Sequence, residues 1–288
     1  MIKDVNIISD FAKDIRRDAL ALLFHAGSGH PGGTLSCADI VAYLWKKELT
    51  YHGDNWQSKD RNRLILSKGH SVATIYAAAG RSGLIKPEQA TSLRKINSFL
   101  QGHPHVNDTP WVETSTGSLG QGFSSAIGMA LGLRHQNIVS RVYAILGDGE
   151  LQEGQVWEGA MSAAHFKLDN LCAIVDYNKM QSDDTNENIM GLEPLADKWR
   201  SFNWHVQEID GHDIAAIDNA IKNSKEIIGK PSMIIAHTIK GKGVSFMEGV
   251  PAWHGSVAIT TEQLMKSLQD LGTESKQLEV YVNGNFWN

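Results

Sequence analysis

The sequence predicts an α/β protein in which a parallel β-sheet is flanked by helices on both faces. Three observations carry that expectation. Short, mostly apolar runs recur at 63–66, 142–146, 171–175, 205–209 and 232–238. Stretches with helical spacing of apolar residues separate most of them, and glycine or polar turn residues close them. Strands alternating with helices bury a parallel sheet between two helical layers, with right-handed crossovers.

The elements follow in order. Ile8, Phe11, Ile15, Leu20, Leu23 and Phe24 recur at helical spacing, so a helix is expected up to about Ala26. Gly27-Ser28-Gly29-His30-Pro31-Gly32-Gly33 reads as a loop, since four glycines and a proline argue against regular helix. A helix is expected over 37–47, a strand over 63–66 ending at Ser67-Lys68-Gly69-His70, and a helix over 71–82. An irregular segment, 97–116, leads to Thr116-Gly117-Ser118-Leu119-Gly120-Gln121-Gly122, which opens a small-residue helix to about Gln136. Gly128 and Gly132 in that helix suggest close packing against a neighbour. Further on, helices are expected over 153–166, 194–201 and 214–227, between the later strands. The division expected is one cofactor-binding domain over 1–272 and a tail, 273–288, whose Val280, Tyr281, Val282, Phe286 and Trp287 suit an interface arm.

Composition narrows the function classes. The chain has 288 residues, 42% of them hydrophobic, enough for a large core. A net charge of −5 without blocks of like charge gives no footprint for nucleic acid or an anionic membrane. No apolar run approaches the roughly 20 residues of a membrane span. Two cysteines, Cys37 and Cys172, lie far apart without metal-ligand spacing, which points to a reducing, cytoplasmic setting.

In open parallel sheets, ligands bind beyond the carboxyl ends of the strands. Gly147-Asp148-Gly149 lies at one such end and Asp176-Tyr177-Asn178 at the next. Between Gly149 and Asn178 lie 28 residues, about one helical crossover, so Asp148 and Asn178 can converge. A hard divalent cation takes oxygen ligands. Asp148 offers a carboxylate, Asn178 a neutral carbonyl, and the backbone carbonyl of Met180 a third oxygen. The flanking glycines let amides approach phosphate closely. Neither a G-x-G-x-x-G after a strand nor a Walker-type loop is present.

From Gly147-Asp148-Gly149-Glu150-Leu151-Gln152-Glu153-Gly154 through Asn178, the sequence resembles the thiamine-diphosphate signature of the transketolase family. Ser28-Gly29-His30-Pro31-Gly32, Leu66-Ser67-Lys68-Gly69-His70, Gly102-His103-Pro104, Ser115 through Gly122 and His254-Gly255 look like family landmarks in family order. The resemblance runs from about residue 10 to residue 272. It implies the thiamine-diphosphate-binding fold, with Asp148, Asn178 and Met180 as ligands of Mg2+, Ca2+ or Mn2+. It also implies that Gly147, Gly149, Glu150 and Asn178 hold the diphosphate end, and that Gly117, Ser118 and Leu119 border the aminopyrimidine ring.

Twelve histidines are present. His25, His52, His135, His165, His205, His212 and His237 are read as structural. His30, His70, His103 and His254 lie in glycine-rich loops that should face the strand ends. Histidine moves protons near neutral pH, which suits ketol transfer, where a sugar carbonyl is polarised and hydroxyl protons move. By resemblance, His30 and His103 touch the C1–C2 end of a donor sugar, while His70 and His254 lie between diphosphate and substrate.

The resemblance also implies a partner. Family enzymes place the cofactor between a diphosphate-binding domain and a pyrimidine-binding domain of another protomer, which supplies an activating glutamate. No pyrimidine-binding domain follows His254 here, so the expectation is a split transketolase: an α2β2 heterotetramer with a C-terminal, pyrimidine-binding subunit, acting on sugar phosphates. Glu153 should sit at that interface. Three places depart from the common pattern: His105, the Ser182-Asp183-Asp184 segment and the apolar tail. The first two border the substrate channel and leave room for a modified sugar, sulfonated or branched. Two other readings stay open, an α-type subunit of a 2-oxoacid dehydrogenase and an inactive cofactor-binding scaffold.

Overall fold

The computed structural model describes residues 2–49, 51 and 56–287. His52 lies outside the described residues. Five strands, β1 (Arg63–Leu66), β2 (Val142–Gly147), β3 (Leu171–Tyr177), β4 (His205–Asp210) and β5 (Ser232–His237), form one sheet in the order β1-β2-β3-β5-β4. Every pairing is parallel. The register aligns Gly147 with Asp176 and Tyr177 with His237, so neighbouring strands end at one level.

Both faces of the sheet are covered, as the apolar runs require. Alternate strand residues point to opposite layers. Tyr143, Ile145, Cys172 and Ile174 join a core with α1 (Ile2–Ala26), α3 (Ala38–Tyr43) and α4 (Val72–Arg81). Ala144, Leu146, Ala173 and Val175 join the opposite core with α5 (Gln121–His135) and α6 (Gly154–His165). β4 is the half-exposed edge strand, and its Glu208 is one of the charges that blunt such edges.

Two local expectations fail. The loop expected over 27–33 ends early, because α2 (Pro31–Ser36) begins at the proline. Proline fits the first helical turn, where its missing N–H has no partner to lose. Gly32 and Gly33 are tolerated because the surroundings leave no room for larger residues. A Cβ on Gly32 would come within 2.7 Å of the Trp253 carbonyl, and one on Gly33 within 3.3 Å of His70 Nε2. Gly128 and Gly132 also differ from expectation: among the described residues, no atom beyond their own stretch of helix comes within 4 Å of where their Cβ would stand.

Helices α7 (Asn186–Ile189), α8 (Leu195–Ser201), α9 (Ile214–Glu226) and α10 (Thr261–Asp270) complete the main body. The tail folds back as α11 (Ser275–Val282). It buries Leu278, Tyr281 and Phe286. Trp287 Nε1 donates to buried Asp18 at 2.8 Å, and His25 Nε2 lies 3.0 Å from the Tyr281 carbonyl. No helix among the described residues is long and apolar enough to cross a membrane.

Candidate functional site

The carboxyl ends of β1, β2, β3 and β5 deliver a cavity of about 270 Å³. β1 runs into Lys68 and His70, and β2 into Asp148 and Gly149. β3 runs into Asn178 and Met180, and β5 leads to Lys240; all of these line the cavity. The loops before α2 and α5 add His30, His103, Gly117 and Leu119, and His254 closes one side. Gly147 and Glu150 also reach the wall.

The four loop histidines meet. The His30 ring centre lies 5.2 Å from that of His70, 6.2 Å from His103 and 6.0 Å from His254. His70 and His254 are 5.4 Å apart. Two glycines set this packing. A Cβ on Gly255 would overlap the His30 ring, and one on Gly117, which sits at φ 139°, would come within 2.8 Å of His103. Burial depresses the basicity of all four rings. It takes His30 to about 4, aided by the positive charge of Arg94. It takes His254 to about 3, aided by Lys240. At neutral pH these are neutral rings, able to accept a proton.

Asp148 is fully buried. Its Oδ1 accepts from Gly149 N at 2.8 Å and its Oδ2 from Lys179 N at 2.5 Å. Burial and the neighbouring charge of Asp176 raise its pKa to about 6. Asn178 Oδ1 accepts from Met180 N at 3.1 Å, and Asn178 and Met180 both line the cavity with Asp148. Among the described residues no group of three or more His, Cys, Asp or Glu side chains is placed to hold a metal. One carboxylate, one amide oxygen and one backbone carbonyl make a different donor set, and it fits a hard divalent cation. The cavity wall also carries buried polar atoms without a partner among the described residues, His30 Nδ1 and Gln181 Nε2. Such atoms suit a polar ligand.

Sequence reasoning did not single out the two lysines. Lys68 is buried at the cavity wall, donates to the Gly33 carbonyl at 2.9 Å and pairs with buried Asp176. Burial works against the Lys68 charge, but the Asp176 carboxylate outweighs it and raises its pKa. Asp176 in turn accepts from Ser36 and Thr238 at 2.5 Å each. Lys240 Nζ donates to the Gln181 carbonyl at 2.8 Å and lies 2.7 Å from His254 Nδ1. Burial lowers its pKa to about 8. Lys68 was legible as part of a strand-end motif. For Lys240 the signal was a lysine just past a buried strand, ahead of Gly241 and Gly243.

Two expected cofactor residues stand outside the cavity wall. Ser118 is exposed, and its carbonyl accepts from Gln121 N at 3.2 Å. Glu153 is exposed at the start of α6, beside Gly120. Glu150, by contrast, has its carboxylate occupied by Gly120 N at 2.9 Å, Gly147 N at 3.0 Å and Ser67 Oγ. It pins three cavity-forming loops together.

A family model described as "Transketolase, thiamine diphosphate binding domain" matches residues 7–283. The chain belongs to the transketolase family. The recognition made from the motifs and the thiamine-diphosphate-binding α/β fold both hold. The chain is 43% identical over 265 residues to the 6-deoxy-6-sulfo-D-fructose transketolase subunit of a Clostridium species, covering 91% of this chain and 95% of that one. It is 36% identical over 269 residues to an apulose-4-phosphate transketolase subunit from Phocaeicola vulgatus, covering 93% and 95%. The structure of Leishmania mexicana transketolase aligns at a TM-score of 0.88 and 28% identity, covering 97% of this chain but only 46% of that longer one.

Proposed function

We propose that this chain is the diphosphate- and metal-holding subunit of a two-chain transketolase that moves a two-carbon ketol unit from a ketose phosphate, or a modified ketose, to an aldose phosphate. The observation that carries the reading is the convergence of four neutral histidines above Asp148 and Asn178 in one cavity. A 2-oxoacid carries no chain of hydroxyls that would need so many proton acceptors. When bound, thiamine diphosphate supplies the electron sink for the bond cleavage.

The chain's own residues bind, orient and move protons. Asp148, Asn178 and the Met180 carbonyl hold a divalent cation, Mg2+ with Ca2+ or Mn2+ as substitutes. Lys68 and Lys240 balance the diphosphate charge. Gly117 and Leu119 support the pyrimidine end. His30 and His103 accept hydroxyl protons from the donor's C1–C2 end, while His70 and His254, between diphosphate and substrate, orient the donor carbonyl. Free, buried Cys37 and Cys172 suit a reducing cytoplasm.

The partner is a pyrimidine-binding subunit that supplies the activating glutamate, in a complex of two copies of each chain. Support comes from the relatives of similar length that are named as subunits. Those same names favour a sulfonated or branched donor sugar. Ketol transfer, assayed for this chain with thiamine diphosphate and magnesium, tests the reading. Activity only after addition of a pyrimidine-binding subunit is expected. Full activity of this chain alone would remove the partner, and inactivity of the pair on every ketose offered would remove the reaction.

A further inference from the structure

Arg94 stands behind the cavity wall, next to the histidines that face the sugar. Its backbone is left-handed, at φ 61°. Its N–H donates to the Leu100 carbonyl at 2.9 Å, closing 94–100 into a tight loop. The side chain returns towards the site. Nη1 donates to Ser28 Oγ at 3.0 Å, two residues before His30. The guanidinium also lies against Gly102, where an added Cβ would come within 2.7 Å of Nε and 3.0 Å of Cζ and Nη2. Gly102 immediately precedes His103. One cation therefore bridges the two loops that present the His30 and His103 rings, 6.2 Å apart.

The bridge has an electrostatic consequence. After burial, Arg94 is the foremost charge that disfavours a proton on His30, and the charge that disfavours one on His103. The other charged or titratable neighbours of His30 are Lys68, Lys240, His70, His103 and His254. His103 faces Arg94 and His30. Lysine in place of Arg94 could keep the charge, but only the planar guanidinium holds Ser28 while lying against Gly102.

We infer that Arg94 is a positioning residue of this site: it ties the Ser28–His30 loop to the Gly102–His103 loop and keeps both rings in the neutral, proton-accepting form. The purpose of that device rests on the ketol-transfer reading, but its existence does not, and the test uses the chain without substrate.

The test is an NMR titration of histidine ring carbons in the full chain, with His30 and His103 assigned through H30Q and H103Q and the exposed His135 and His165 as references. R94Q should raise the midpoints of His30 and His103 and leave the references in place. R94K should keep the His30 and His103 midpoints closer to those of the parent chain. Unchanged midpoints in R94Q, or an equal movement of the references, would overturn the inference. A thermal melt checks folding. Should R94Q not fold, S28A carries the test, since loosening the tether should raise the same two midpoints by a smaller amount, and no movement would count against the bridge. Failure of any chain pair to transfer a ketol unit would sink the proposed reaction and leave this titration result standing.

Discussion

Lys240 Nζ lies 2.7 Å from His254 Nδ1 and 2.8 Å from the Gln181 carbonyl. An ammonium can only donate, so the charged lysine makes His254 Nδ1 the acceptor and leaves the ring proton on Nε2. The lysine links the segment after Asn178, through Gln181, to the histidine cluster. Burial has already brought the lysine to about 8, so in the ligand-free chain its charge is lost as the pH rises through that value. Affinity for thiamine diphosphate should fall between pH 7 and 9, and K240M should bind weakly with a flatter pH response. Calorimetric titration at both pH values checks this; a steep, parent-like pH response in K240M would assign the effect to another group.

Asp148→Ala should abolish metal-dependent cofactor binding, by more than about 100-fold, because outer partners of metal ligands alone cost 10–100-fold. The readout is quenching of tryptophan fluorescence by thiamine diphosphate with and without magnesium. Normal affinity in this variant would end the metal assignment.

His103→Ala removes a proton acceptor that packs against Gly117 at the cavity wall. Turnover of the reconstituted complex should drop by about 10²–10⁴-fold, the usual scale for a general acid–base group. Cofactor affinity should change far less. A variant that loses both together, or unfolds, would have a structural histidine at this position.

Gly32→Ala would raise helix propensity in α2, yet its Cβ would meet the Trp253 carbonyl at 2.7 Å and Lys240 Cγ at 2.9 Å. The substitution should therefore weaken cofactor binding by displacing Lys240 and His254. A melting temperature and an affinity equal to the parent's would show that this contact yields freely.

The stability that His30 and His254 contribute should fall as the pH drops below about 6.5, against the opposite contribution of buried Asp148, whose raised pKa favours the folded chain as the pH falls. On folding, burial lowers His30 from 6.5 to about 4 and His254 from 6.5 to about 3. Between those values and 6.5 the unfolded chain binds protons that the folded chain refuses, so unfolding is favoured as the pH falls. Denaturant melts at pH 7 and pH 5 measure it, and H30Q should reduce the difference between them. Equal pH dependence in that variant would place the titration elsewhere.

The sequence by itself determined the sheet, its strands and the side of the fold that binds. Apolar strand runs and helical spacing are local patterns, and Asp148 and Asn178 stood at the ends of two of them. The histidine loops were legible because His30, His70, His103 and His254 stand in glycine-rich loops expected to face the strand ends. What only the tertiary structure decided came from distant contacts. Pro31 opens a helix rather than extending a loop, and Trp253 and Lys240, more than 200 residues away, leave no room for a side chain on Gly32 within it. Lys68 and Asp176 form a buried pair although they stand 108 positions apart in the sequence. Glu150 holds loops together at the cavity wall because Ser67, Gly120 and Gly147 all reach its carboxylate. Ser118 and Glu153 are exposed and do not line the cavity, and Arg94 reaches back to Ser28 behind it. A residue's charge is written in the sequence; whether that charge is met, buried or left free depends on which strand end folds beside it.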